Sequence, residues 1–169
     1  MRGYFSGNSG NLGKLACSLA NQNFNLTKSI GIYNLSVHLL ENLAKRGVSE
    51  KLTVFSNSTL KIDSLLRPCV EIQDHNEAVR SKWGRLVWDQ WGVYKAAKKS
   101  GSKWLFLPKG FGSFIRKPGF KLAVYIHDVI FSHYTANYPG AKPWYEIWYF
   151  MAALKKTMRE ADVIFTNSD

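Results

Sequence analysis

From Ser29 onward the apolar positions fall into helix-like and strand-like rhythms. Ile32, Leu35, Leu39, Leu40 and Leu43 recur at three- and four-residue steps, which predicts an amphipathic helix. Lys45 and Arg46 suit the negative end of its dipole, and Gly47 suits the position just past its last turn. Lys51–Ser56 alternates Leu52 and Val54 with polar neighbours and reads as a strand, as does Val70–Gln73. Arg85–Lys99 reads as a second helix, with Leu86, Val87, Trp91, Tyr94 and Ala97 on one side and Lys95, Lys98 and Lys99 closing it before Gly101. Trp104–Leu107 is a short buried strand stopped by Pro108. A loop carrying Gly110, Gly112, Pro118 and Gly119 then leads to an apolar strand, Lys121–Ile126, that ends at His127-Asp128. Pro143 suits the first position of a helix over Trp144–Arg159, and Val163–Thr166 is one more short strand. Met1–Lys28 is rich in Gly, Asn and Ser, and Arg2–Ser6 is the only segment of it that reads as a strand.

Short apolar strands alternating with helices predict a mainly parallel sheet covered on both faces, a Rossmann-like, doubly wound α/β sandwich. Residues 1–169 read as one domain, since no internal repeat and no long linker divides them. Asp169 follows directly on a strand, where a doubly wound sheet turns into its next helix, so the chain reads as unfinished. The alternative is an edge strand that closes the domain.

Composition adds limits. At 169 residues with 46% hydrophobic and 14% aromatic positions, the chain has enough apolar surface for a core, and its 21% charged fraction is not that of a disordered segment. No run of about 18 uncharged apolar residues is present to span a bilayer. Leu15-Ala16-Cys17 resembles a lipoprotein cleavage box, but the preceding Gly-Asn-Ser-Gly-Asn forms no apolar stretch of a signal peptide. Two cysteines, Cys17 and Cys69, make neither a disulfide framework nor a closed zinc site, which points to a reducing, cytoplasmic setting.

Charge changes the picture more. Of the net +11, residues 1–79 contribute little, with 8 basic and 6 acidic side chains, against 15 and 6 in residues 80–169. Arg80–Lys121 alone holds eleven basic residues and one acid, Asp89, and all six tryptophans lie beyond residue 80. A stripe of this kind attracts an anionic partner.

Candidate chemistry is sparse. Gly7–Lys14 tempts toward a phosphate loop, yet Asn8 and Leu15 stand where that motif needs Gly and Ser or Thr, so a turn-rich loop is the simpler reading. Ser29-Ile30-Gly31-Ile32-Tyr33-Asn34 opens the first helix. A glycine there lets a ligand approach the backbone, and free N–H groups favour an anion, although an ordinary helix start would look the same. His127-Asp128 sits at a strand's carboxyl end, where open α/β sheets place ligand groups; a hydrogen-bonded turn is the plainer alternative. Only His38, His75 and His133 remain as further histidines, at no metal-ligand spacing, and no nucleophile elbow or placed Cys–His pair is visible. Trp83, Trp88, Trp91 and Trp104, interleaved with lysines, read first as core with a solvated rim and second as a stacking platform for nucleic acid.

Four segments, in order, resemble the amino-terminal domain of family-4 glycosyltransferases, which have the two-Rossmann GT-B architecture. Ile30-Gly31-Ile32-Tyr33 followed by Leu39–Ala44 is similar to that family's Gly-Ile-Gly-Arg-Tyr segment and first helix, with Ser29 replacing the first glycine and Ile32 the arginine. Arg85-Leu86-Val87-Trp88-Asp89-Gln90 resembles its Arg-Leu-x-Trp-Glu-Gln helix. Val124–Ile130, with Tyr138-Pro139 beyond, is similar to its histidine–aspartate strand end. Ala161–Ser168 resembles its Ala-Asp-x-Ile-x-Thr-x-Ser strand. The likeness covers Ser29 to Asp169.

The resemblance implies transfer of a sugar from a nucleotide-sugar co-substrate to an acceptor hydroxyl on a glycan or lipid-linked saccharide, usually with retention and without a bound metal. It implies that this domain is the acceptor side and that a further carboxyl-terminal domain holds the nucleotide. By the same resemblance Gly31, with Ile32, Tyr33 and Asn34, would lie near the donor phosphates and sugar. His127 would position hydroxyls, Asp128 would orient the turn, and Ser168 would sit at the cleft edge. Lys109 belongs to the same expected binding surface. The basic stripe would suit an anionic membrane face, making the protein cytoplasmic and peripheral on the inner side of the membrane. A standalone basic nucleic-acid-binding module is the rival reading, disfavoured by the lack of an RRM, KH or helix-turn-helix signature.

Overall fold

A computed structural model describes residues 13–22, 30–45, 52–60, 70–115, 119–127, 137–138, 140 and 143–166. In chain order its elements are β1 (Leu15–Ser18), α1 (Ile30–Lys45), β2 (Leu52–Ser56), β3 (Val70–Asp74), α2 (Asn76–Val79), α3 (Lys82–Val87), a π-helical turn (Trp88–Gly92), α4 (Val93–Lys99), β4 (Trp104–Leu107), β5 (Lys121–Ile126), α5 (Trp144–Glu160) and β6 (Val163–Thr166). The strands form one six-stranded sheet in the order β3-β2-β1-β4-β5-β6, with every pair parallel. This is the doubly wound order with its switch between β1 and β4.

The inner strands β1, β2, β4 and β5 are largely buried and read as apolar runs, whereas the edge strand β6 is apolar yet exposed along its length. On one face Ala16, Phe55, Leu105, Leu107, Leu122 and Val124 meet Trp88, Val93, Tyr94 and Ala97 of the π turn and α4. On the other, Cys17, Val54, Phe106 and Ala123 meet Leu40, with Tyr33 and Val37 of α1 packed against them. Cys17 pairs with Val54 on one side and Phe106 on the other, which brings the apolar positions of three strands into line. Each large apolar side chain withdrawn from water here contributes roughly 1.5–3 kcal/mol.

Several expectations change. The central strand is β1, inside the segment that read as turn-rich; Arg2–Ser6 lies outside the described residues. Leu15-Ala16-Cys17-Ser18 is four residues of small and medium side chains whose partners are all distant in sequence, so no local alternation announces it. Cys17 is fully buried between its neighbours.

The second helical stretch starts earlier than Arg85. Ser81 caps it, its hydroxyl accepting from the Gly84 N–H at 2.9 Å. The expected apolar face is also wrong in part. Tyr94 and Ala97 are buried and Leu86 half-buried, but Val87 and Trp91 are exposed and Trp88 takes the core position. The π turn is the reason: the Val93 N–H donates to the Trp88 carbonyl, five residues back. That step stacks Val93 over Trp88, both against the sheet, and turns Trp91 outward. Gly92 makes room, since a Cβ there would lie 2.7 Å from Cε3 of Trp88.

Smaller differences follow. Pro143 caps α5 from outside instead of occupying its first helical position, and the helix runs one residue further, to Glu160. β3 extends to Asp74, and α2 is an unanticipated short helix. Gly47, the expected stop of α1, lies outside the described residues. No helix among the described residues is long and apolar enough to cross a membrane.

Candidate functional site

In an open parallel sheet the crevice for ligands lies beyond the carboxyl ends of the strands flanking the switch point. Here that is the space between the turn after β1 and the loop after β4, bordered by the end of β5 and by the start of α1.

The turn after β1 is held by backbone bonds and by one side chain. The Leu19 N–H donates to the Phe55 carbonyl and the Gln22 N–H to the Leu19 carbonyl, both at 2.8 Å. Asn57, buried at the end of β2, donates its amide to the carbonyls of Ala20 (2.6 Å) and Gln22 (3.1 Å). Its Oδ1 accepts from the Thr59 N–H and hydroxyl. The turn therefore has no slack. The Gln22 side chain is nevertheless left with both amide atoms buried and no hydrogen-bond partner among the described residues.

The loop after β4 is anchored just as firmly. Gly110 takes φ +80, and a Cβ there would lie 2.8 Å from the Tyr125 carbonyl oxygen, so only glycine lets the loop pass so close to β5. The Gly112 N–H donates to Thr157 Oγ1 (2.9 Å) and the Ser113 N–H to the Tyr94 hydroxyl (2.7 Å). Gln90 Oε1 accepts from Ser113 Oγ (3.0 Å) and the Phe114 N–H (3.1 Å), while its Nε2 donates to the Tyr149 hydroxyl (2.8 Å).

A continuous polar line joins the two loops. Asn21 faces Asp89, Asp89 lies 3.7 Å from Lys109 Nζ, and the carbonyl of the adjoining Pro108 accepts from His127 Nε2 at 2.8 Å. Burial pushes the Asp89 carboxyl above the ordinary carboxylate range, while Lys109, Asn21 and Arg85 pull in the other direction. Lys109 also rests over the Phe111 ring, 5.4 Å from its centroid. His127 stacks at a tilt on Tyr125, and its Nε2 must carry the proton it donates, so this nitrogen is occupied in holding the loop.

Of the residues expected from sequence, His127 and Lys109 come together here. Gly31, Ile32, Tyr33 and Asn34 form the first turn of α1, which follows β1 and so starts at the carboxyl edge of the sheet. Gly31 is exposed, with nothing within 4 Å of where its Cβ would be, whereas Tyr33 packs into the core. Asp128 and Ser168 lie outside the described residues. Asn21, Gln22, Asp89 and Gln90 were missed as site residues. Asp89 and Gln90 sat within the Arg85–Gln90 resemblance, but nothing in the local sequence marks Asn21 or Gln22.

The described residues contain no cluster of three or more His, Cys, Asp or Glu able to hold a metal ion. Burial pushes the Cys17 thiol far up and the Tyr94 and Tyr149 hydroxyls up to about 12, so these three groups stay protonated at neutral pH. What the crevice offers is an uncommitted amide, a carboxyl–ammonium pair and a helix start open to close approach, a donor and acceptor set suited to a hydroxylated ligand with an anionic part. No protein-family model, curated protein or solved structure matches the chain.

Proposed function

We propose that the chain is the acceptor-side domain of a glycosyltransferase that moves a sugar from a nucleotide-sugar to a hydroxyl of a glycan or lipid-linked saccharide, with retained configuration. The observation that carries this reading is the Gln22 amide at the switch-point crevice, buried and with no hydrogen-bond partner among the described residues, on the turn whose Asn21 faces the Asp89–Lys109 pair. A buried amide without a partner costs about 1–3 kcal/mol, a cost that a sugar hydroxyl, donor and acceptor at once, would remove. In this proposal Lys109 and the first turn of α1 at Gly31 face the anionic side of the donor. His127 and Asp128 position hydroxyls, and Ser168 borders the cleft. A second domain outside these 169 residues supplies the nucleotide site and stabilises the leaving diphosphate, so the chain transfers no sugar alone. The setting is cytoplasmic.

Saturation-transfer NMR with a panel of mono- and oligosaccharides and nucleotide-sugars tests the reading, comparing the native chain with Gln22→Leu and Lys109→Met. Saccharide signals that vanish in both variants, with unchanged circular dichroism, are expected. Absence of any saccharide or nucleotide-sugar signal overturns it. Tight, steeply salt-dependent binding of an oligonucleotide instead establishes the nucleic-acid alternative.

A further inference from the structure

The solvent sides of two neighbouring helices are apolar where they should be polar. On the stretch from α3 into α4, Trp83, Val87 and Trp91 face water and are followed on the same stripe by Lys95 and Lys98; Trp83 is 76% exposed. On α5, Trp144 (78% exposed), Trp148 and Met151 recur at four- and three-residue steps, with Tyr145 beside them. Lys155, Met158 and Arg159 continue that stripe. A surface helix ordinarily turns its apolar stripe toward the core, and these turn an aromatic stripe away from it.

The two stripes belong to one surface. α3 leaves the carboxyl end of β3 and α5 leaves that of β5, and both return to the opposite edge, so the helices run in the same direction. Their first turns are joined by Lys82 Nζ and Glu146 Oε1 at 3.2 Å, and further along Gln90 reaches Tyr149. Phe114 links to both: its ring lies 5.9 Å from Trp148 and 5.3 Å from Tyr149, and its N–H donates to Gln90. The aromatic halves of both helices therefore lie at the carboxyl edge of the sheet, the edge that carries the crevice.

Charge selects the occupant. The acids of this region are engaged: Glu77 with Arg80, Glu146 with Lys82, Asp89 with Lys109 and Glu160 with Lys156. Lys95, Lys98, Lys155 and Arg159 are exposed and have no acidic partner among the described residues. A second copy of the chain would bring the same positive charge against itself. For a nucleic acid, Val87, Met151 and Met158 offer no ring face to a base. Trp and Tyr rings with flanking Lys and Arg are what a lipid interface accepts, the rings at headgroup depth and the cations against lipid phosphates and carboxylates.

We propose that the exposed faces of α3, α4 and α5 form a docking surface for an anionic lipid bilayer, which holds the crevice next to the membrane plane. The inference stands apart from the saccharide reading, and its test reads a different variable. Co-sedimentation of the 169-residue chain with vesicles of phosphatidylcholine alone, and with about 30 mol% phosphatidylserine, measures partitioning. Tryptophan emission reports ring burial. Partitioning about tenfold stronger onto the anionic vesicles, with a blue-shifted emission, is expected. Trp83→Ser/Trp144→Ser/Trp148→Ser should lose about tenfold on both lipids, and Lys95→Glu/Lys155→Glu should lose the preference for anionic lipid. Both variants should keep the native chain's saccharide NMR signals. Equal or absent binding to the two vesicles, or variants that bind like the native chain, overturns the proposal. So does an oligonucleotide that shifts the emission when vesicles do not, or a dimer in sedimentation velocity that the tryptophan variant disperses.

Discussion

The Gln90 amide nitrogen donates to the Tyr149 hydroxyl at 2.8 Å, joining the π turn to α5 from within the structure. The other end of the same amide accepts from Ser113 and Phe114, so one buried side chain fixes the β4–β5 loop against both helices. Gln90→Leu would remove three hydrogen bonds together, those from Ser113 Oγ and the Phe114 N–H and the one to the Tyr149 hydroxyl oxygen. The expected loss is about 3 kcal/mol, roughly a 10 °C drop in Tm by calorimetry. Thr157→Val, which orphans only the Gly112 N–H, should cost about 1 kcal/mol in the same measurement.

Gln22→Leu should act in the opposite direction. Its buried amide has no partner among the described residues, and an apolar side chain of similar size removes that desolvation cost, so urea denaturation should show a gain of about 1–3 kcal/mol. A more stable protein that no longer binds saccharide is the signature of a polar group retained for a ligand. A destabilised variant would mean that the amide is satisfied within the fold.

Two glycines separate packing from access. Gly92→Ala drives a methyl into the buried Trp88 ring and should destabilise by about 1–2 kcal/mol despite alanine's better helix propensity. Gly31→Ala meets nothing and should stabilise α1 by about 0.5–1 kcal/mol. If the start of α1 receives an anionic ligand closely, titration with a nucleotide-sugar should nonetheless show weaker binding for the Gly31 variant.

His75 gives a pH signature. It lies tilted against Trp88 and edge-on to Phe55, its Nε2 is buried with no partner among the described residues, and burial lowers its pKa, with Asp74 opposing the effect and Lys99 adding to it. The unfolded chain therefore takes up this proton at a higher pH than the folded one. The stability His75 contributes is present above about pH 6.5 and is lost as pH falls below it. His75→Phe keeps the ring and removes the proton, so the drop in Tm between pH 8 and pH 5.5 should be smaller in the variant.

The amino-acid sequence by itself determined the α/β class, the parallel sheet and the bounds of β4, β5 and β6, because the strands of a parallel sheet are continuous apolar runs set off by Pro, Gly and charged residues, a pattern that β6 keeps although its edge position leaves it exposed. It also placed His127 at a strand end, where the crevice forms. Tertiary structure alone decided β1, whose four modest side chains become a central strand only through partners dozens of residues away. It alone decided which tryptophan is core, since one five-residue hydrogen bond at Trp88 rotates the rest of the helix and sends Trp91 to the surface. The polar line from Asn21 through Asp89 and Lys109 to His127 joins four separate segments. Local pattern carries the period of each segment but not its distance to the others, so folding had to assemble what the crevice contains.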